Sequence, residues 1–230
     1  MKEFFLIKYS KRFIQSTFVF LILVMVLLSV EFYLPSFYVM LFNQSYDSKT
    51  LTGMFYFIGF TFVCFFIIPV VVNKFVYREK LKNIGLRMPE NKLRTILLML
   101  LAMIVFVPLM VYFGTLRVFE LYYSLHGISL FKGFLVLAVM LPAYYFCEEF
   151  FIRGFMLFSL WKRVKWHSIW ITDLVFTLAH IFKPPLEVIA AIPVGVALGF
   201  LTLATRSVYP AMVVHYSMGV AMIVTANHYF

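Results

Sequence analysis

Carboxylates are scarce in this 230-residue chain: Asp and Glu number 10 against 20 Lys and Arg, and charged residues make up only 13% of it. Soluble domains carry about a quarter charged residues and are near half apolar. Here the hydrophobic share is 63% and the mean hydropathy +0.95, which excludes a water-soluble domain. Cysteine is nearly missing too. Cys64 and Cys147 both fall in apolar stretches with no framework spacing, so neither a disulfide scaffold nor a structural zinc knot is encoded. Both read as packing residues. The short alternating segments of an outer-membrane barrel are absent, as are internal repeats, low-complexity stretches and any sign of a second domain. What remains is an all-α, polytopic integral membrane helical bundle forming a single domain over residues 1–230. The net charge of +10 then reports topology and contact with anionic headgroups, and nucleic acid is not an expected partner.

Seven apolar segments are expected, at about 13–34, 51–73, 94–116, 132–158, 167–182, 187–205 and 208–227. The first follows Lys2, Lys8, Lys11 and Arg12 and reads as a retained signal anchor. The fifth and sixth are short for a bilayer that needs about 20 residues per crossing, so they tilt or stop inside it. Lys183-Pro184-Pro185 breaks the chain between them. With the N-terminus in the cytoplasm, the basic loop 74–94, the turn Lys162-Arg163-Lys165 and Arg206 are all inside. That places fifteen of the twenty Lys and Arg on the cytoplasmic side, with Lys49, Arg117, Lys132 and Lys183 outside and Arg153 within a helix.

Against that background, the acids that do occur within apolar segments are informative. Glu148 and Glu149 are adjacent in the fourth segment, where a carboxylate costs at least a few kcal/mol and marks a functional site by default. Glu149 and Arg153 share a helix face at i,i+4 and are expected to pair, which leaves Glu148, about 100° away, as the candidate general base. The turn at 162–165 joins the fourth and fifth segments. Glu148 precedes Lys162 by fourteen residues and His180 follows Lys165 by fifteen, so an antiparallel hairpin puts the two at one depth. Phe176, one turn before His180, packs beside it. Asp173 lies on roughly the same face, where it either orients His180 or meets water at a helix end. His215 follows the turn at 206–210 closely and joins the others only if the helices around that turn are staggered. Glu148, His180 and His215 are compatible with two chemistries. They can bind Zn²⁺ with an open position for water. Alternatively, Glu148 with His180 deprotonates water directly while His215 stabilises an oxyanion. Both are hydrolytic.

The order Glu148-Glu149-x-x-x-Arg153, then Phe176-x-x-x-His180, then His215 within Tyr209-Pro-Ala-Met-Val-Val-His resembles the CAAX protease and bacteriocin-processing family. These are intramembrane endopeptidases similar to the type II CAAX prenyl endopeptidase and the bacterial Abi proteins. Gly195-Val-Ala-Leu-Gly199 and Asn83-Ile-Gly-Leu-Arg87 resemble further family segments. The resemblance implies a catalytic core at about 132–220, Glu148 as the water-activating acid, His180 and His215 beside it, and a membrane-anchored or lipid-modified peptide or protein as substrate. Family members often carry Asn four residues after the last histidine, where this chain has Gly219. Asn227 is about 18 Å further along a helix. The fourth element is therefore missing or supplied elsewhere, and if the site is merely weakened, restoring Asn at 219 is expected to raise cleavage. An inactive relative that binds a peptide or confers bacteriocin immunity is the main alternative. A proton-coupled transporter is disfavoured because no inverted repeat or paired broken helices occur.

Overall fold

A computed structural model describes residues 50–125 and 129–227, and every regular element among them is helical. In chain order the helices are α1 (Leu51–Tyr77), α2 (Lys92–Gly114), the short α3 (Arg117–Tyr122), α4 (Leu130–Val164), α5 (His167–Leu178), α6 (Pro185–Thr205) and α7 (Tyr209–Ala226). Helix starts are capped as the sequence dictates. Thr50 Oγ1 accepts from the Gly53 N–H at 3.0 Å, and Asn91 Oδ1 accepts from the Arg94 N–H at 2.9 Å, each satisfying an orphan donor of a first turn. Helix α4 is not uniform: π-helical turns occupy Val136–Met140 and Phe150–Met156.

Five helices (α1, α2, α4, α6 and α7) are long and apolar enough to cross a membrane. Their outer faces are strongly apolar, with Ile104 71% and Phe131 65% exposed. Such surface suits contact with lipid, since exposed apolar patches of this extent mark interaction surfaces. The chain is a multi-pass integral membrane protein. These five helices overlap the expected segments at 51–73, 94–116, 132–158, 187–205 and 208–227. The segment at 13–34 lies outside the described residues. The segment at 167–182 is not one helix: α5 is 12 residues long, about 18 Å at 1.5 Å per residue, against a hydrocarbon core of about 30 Å. It ends ahead of His180 in a run of tight turns, where the His180 N–H donates to Thr177 O at 3.0 Å and the Lys183 N–H to His180 O at 2.9 Å.

Close backbone approach fixes the register of the bundle. Helix α7 lies along α2, where a Cβ on Gly114 would stand 2.7 Å from both Met222 O and Thr225 Cβ. Helix α6 lies along α5 at Gly199, where a Cβ would be 3.2 Å from Ile169 Cγ2. The turn before α7 is held against the 81–87 segment, with the Val208 N–H donating to Gly85 O at 3.1 Å. Gly85 itself has φ +89°, a conformation in which a side chain would be strained. Val208 also abuts Gly154, whose added Cβ would be 3.2 Å from Val208 Cγ1. So α7 begins level with Gly154, well before the end of α4 at Val164. That stagger carries the second turn of α7 to the depth of the two glutamates.

Candidate active site

The site is assembled on the π-helical part of α4, a backbone irregularity often found at functional sites. All seven residues of Phe150–Met156 are buried. Glu148 is 3%, Glu149 0% and Arg153 1% exposed. The local pair forms as its spacing dictates: Arg153 Nη1 donates to Glu149 Oε1 at 3.0 Å. A second hydrogen bond reaches the same oxygen from α7, with His215 Nδ1 2.7 Å from Glu149 Oε1. Glu148 Oε2 is 3.9 Å from that nitrogen, within ion-pair range but too far for a hydrogen bond. Val208 and Gly154 are in register. Seven residues on from Val208 lead to His215 and five back from Gly154 lead to Glu149, so the two paths differ by about 3 Å at 1.5 Å per residue. The stagger that His215 requires is therefore present.

Phe176 is the centre of the apolar wall. The Arg153 guanidinium stacks on it, with Cζ 4.0 Å from the ring centroid. The His180 and His215 rings lie 4.4 Å and 5.4 Å from the same ring. His180 Nδ1 is 2.7 Å from Phe176 O. A carbonyl only accepts, so Nδ1 carries a proton, and in the neutral imidazole Nε2 is then the acceptor. Asp173 does not orient His180, since the backbone carbonyl fills that role. It is buried, at 5% exposure, with Oδ1 facing Gly195 and unbonded among the described residues.

A cavity of ≈ 40 Å³, enough for water, lies among these groups and is lined by Tyr145, Phe176, His180, Lys183, Glu187, His215 and Gly219 together with apolar residues. Both histidines line it, and Glu148 does not. No hydrogen bond or ion pair joins Glu148 to His180 among the described residues. Nor does any group of three His, Cys, Asp or Glu among them stand where it could hold a metal ion, so Glu148, His180 and His215 do not form a ready ligand set as placed.

Three members of the cavity escaped the sequence reading. Lys183 reads there as an outer topology residue, yet its Nζ is 3.2 Å from Glu187 Oε1, and the Tyr123 hydroxyl donates to both Glu187 oxygens at 2.8 and 2.7 Å. The i,i+4 spacing of Lys183 and Glu187 was the available signal. Tyr145 shares a helix face with Glu149 at i,i+4, and its ring is 4.3 Å from that of His215. Asn227 is remote from this constellation: it accepts from the Leu125 N–H at 2.6 Å and donates to Tyr123 O at 3.0 Å, closing the end of α7.

Fold and site together define a multi-pass α-helical membrane protein with a buried carboxylate–guanidinium–imidazole centre. Residues 127–221 match the family model described as Type II CAAX prenyl endopeptidase Rce1-like, so this stretch of the chain is similar to that family. No curated protein and no solved structure matches it.

Proposed function

We propose that this chain is an intramembrane endopeptidase that hydrolyses a peptide bond in a membrane-associated protein or peptide bearing a prenylated C-terminal cysteine motif, with its N-terminus in the cytoplasm. The observation that carries the assignment is the unequal engagement of the two acids. Glu149 is held by Arg153 and His215 through one oxygen. Glu148 is as deeply buried but has no hydrogen bond among the described residues, and its nearest ion-pair contact is at 3.9 Å. An unengaged carboxylate next to an engaged one is the better proton acceptor.

In this reading a water bound near Glu148 and His180 Nε2 attacks the scissile carbonyl carbon. Its proton passes to the Glu148 carboxylate, a C–O bond forms and the carbonyl π pair moves onto oxygen. His215, anchored through Nδ1 by Glu149, presents Nε2 to that oxygen and as an imidazolium donates to it. Collapse re-forms the carbonyl and breaks the C–N bond, and the proton on Glu148 goes to the leaving amine. Arg153 and Phe176 position Glu149 and the two imidazoles. Enclosure among apolar helices excludes bulk water and strengthens these interactions. Zinc chemistry would require the side chains of Glu148, His180 and His215 to converge further than they do here.

The test is release of the C-terminal tripeptide from a farnesylated-cysteine peptide by purified protein in liposomes, with and without a chelator. Loss of release in Glu148→Gln, with melting behaviour unchanged and the chelator without effect, supports glutamate-driven hydrolysis. Loss on chelation, restored by Zn²⁺, replaces it with the metal mechanism.

A further inference from the structure

Gly219 lies one turn beyond His215 on α7 and lines the cavity. It has no side chain, yet the space a side chain would take is filled. A Cβ added there would collide with the Tyr145 hydroxyl oxygen and stand 2.7 Å from Cζ and 2.9 Å from Cε2 of the same ring. The phenol of α4 thus occupies the volume that residue 219 leaves on α7. It is firmly placed there: Tyr145 is 9% exposed, its ring lies 4.3 Å from that of His215, and Tyr144 and Tyr216 flank it at 5.5 and 6.5 Å. Its hydroxyl makes no hydrogen bond with any described residue. Buried phenols usually find a partner. An unpartnered O–H on the wall of the cavity that His180 and His215 share points to a ligand acceptor.

We propose that Tyr145 is a catalytic residue whose hydroxyl donates to the scissile carbonyl oxygen, and that Gly219 is the space that admits it. The phenol proton stays on Tyr145 throughout. The O–H shares with His215 Nε2 the negative charge that develops as water attacks, so the oxyanion meets one donor from α4 and one from α7. This rests on the reading of the site as a peptide hydrolase. It also reverses the expectation for position 219. Asparagine there does not restore a missing element, because it would displace the group that already supplies the function.

The test uses the full-length protein in liposomes and the farnesylated-cysteine peptide, with kcat, KM and melting temperature measured together. Tyr145→Phe removes one oxygen and keeps the ring. Its kcat should fall about 10²-fold or more, as loss of one oxyanion donor does, with KM and melting near wild type. Gly219→Asn should lose both activity and thermal stability. Tyr145→Ala combined with Gly219→Asn puts an amide into the vacated space and should recover at least about tenfold over Tyr145→Ala alone. Should Tyr145→Phe fail to fold, the comparison of those last two proteins decides the matter. Wild-type kcat in Tyr145→Phe, or no recovery in the double variant, overturns the role of Tyr145 alone, provided cleavage depends on Glu148. No release by wild type, or release unaffected by Glu148→Gln, overturns the hydrolase reading and this assignment with it.

Discussion

Glu149 is the most heavily engaged group of the site, and its partners make opposite demands on the sequence reader. Its bond to Arg153 is local, set by four residues of one helix, and was legible from spacing alone. Its bond to His215 spans 66 positions and depends on where α7 begins. The role of Tyr145 carried no sequence signal, because it is defined by a space on another helix. The energetics of the buried pair follow from burial. Arg153→Met leaves a fully buried carboxylate without its guanidinium, at a cost of about 3–5 kcal/mol. It should unfold at distinctly lower temperature in detergent and lose cleavage. Arg153→Lys should rescue only partly, since an ammonium replaces neither the planar fork nor the stack on Phe176.

Helix α5 shows how the short fifth segment ends. The stretch at 167–182 is apolar but short, and the turns before Lys183-Pro184-Pro185 end the helix at Leu178. The shortened helix lets His180 lie on the cavity wall while Lys183, only three residues on, reaches the same cavity. The pairing of α2 with α7 depends on Gly114, where an added side chain meets backbone and a β-carbon that cannot swing away. Gly114→Leu should therefore destabilise the bundle by about 1–3 kcal/mol, read as a lower melting temperature. At the basic end, Lys162 Nζ joins Glu79 at 2.6 Å and ties α4 to the segment after α1. Hydrogen bonds from Lys162 and Asn83 hold the Glu79 carboxyl below its usual range. A lowered folded-state value means stability that is present above the unfolded value, near 4.5, and lost as pH falls through the folded one. The pair is part-exposed, so Glu79→Gln should cost under about 1 kcal/mol at pH 7 and nothing measurable once the wild-type carboxyl is protonated. Thermal unfolding of both proteins across that pH range reads the difference.

The bundle as a unit was the most legible feature, because composition and long apolar runs report the solvent directly. The all-α class and multi-pass character follow from the 63% hydrophobic share and from helices such as Lys92–Gly114. The arrangement of polar groups inside was less legible, because it depends on the π-helical turns of α4 and the stagger of α7, which hydropathy does not encode. Orientation is a further consequence of charge placement. With both buried native cysteines replaced by alanine, a membrane-impermeant maleimide applied to intact cells should label Ser129→Cys and spare Lys82→Cys. The reverse pattern would invert the proposed topology. The central claim concerns Glu148, and one measurement tests it most directly: tripeptide release from a farnesylated-cysteine peptide by wild type, Glu148→Gln and Glu149→Gln in liposomes, each checked for intact folding. Glu148→Gln is predicted to keep the wild-type melting temperature and lose release by at least about 10²-fold, as removal of a general base does, whereas Glu149→Gln should lose stability as well. Release by Glu148→Gln at the wild-type rate would contradict the assignment of Glu148 as the group that activates water.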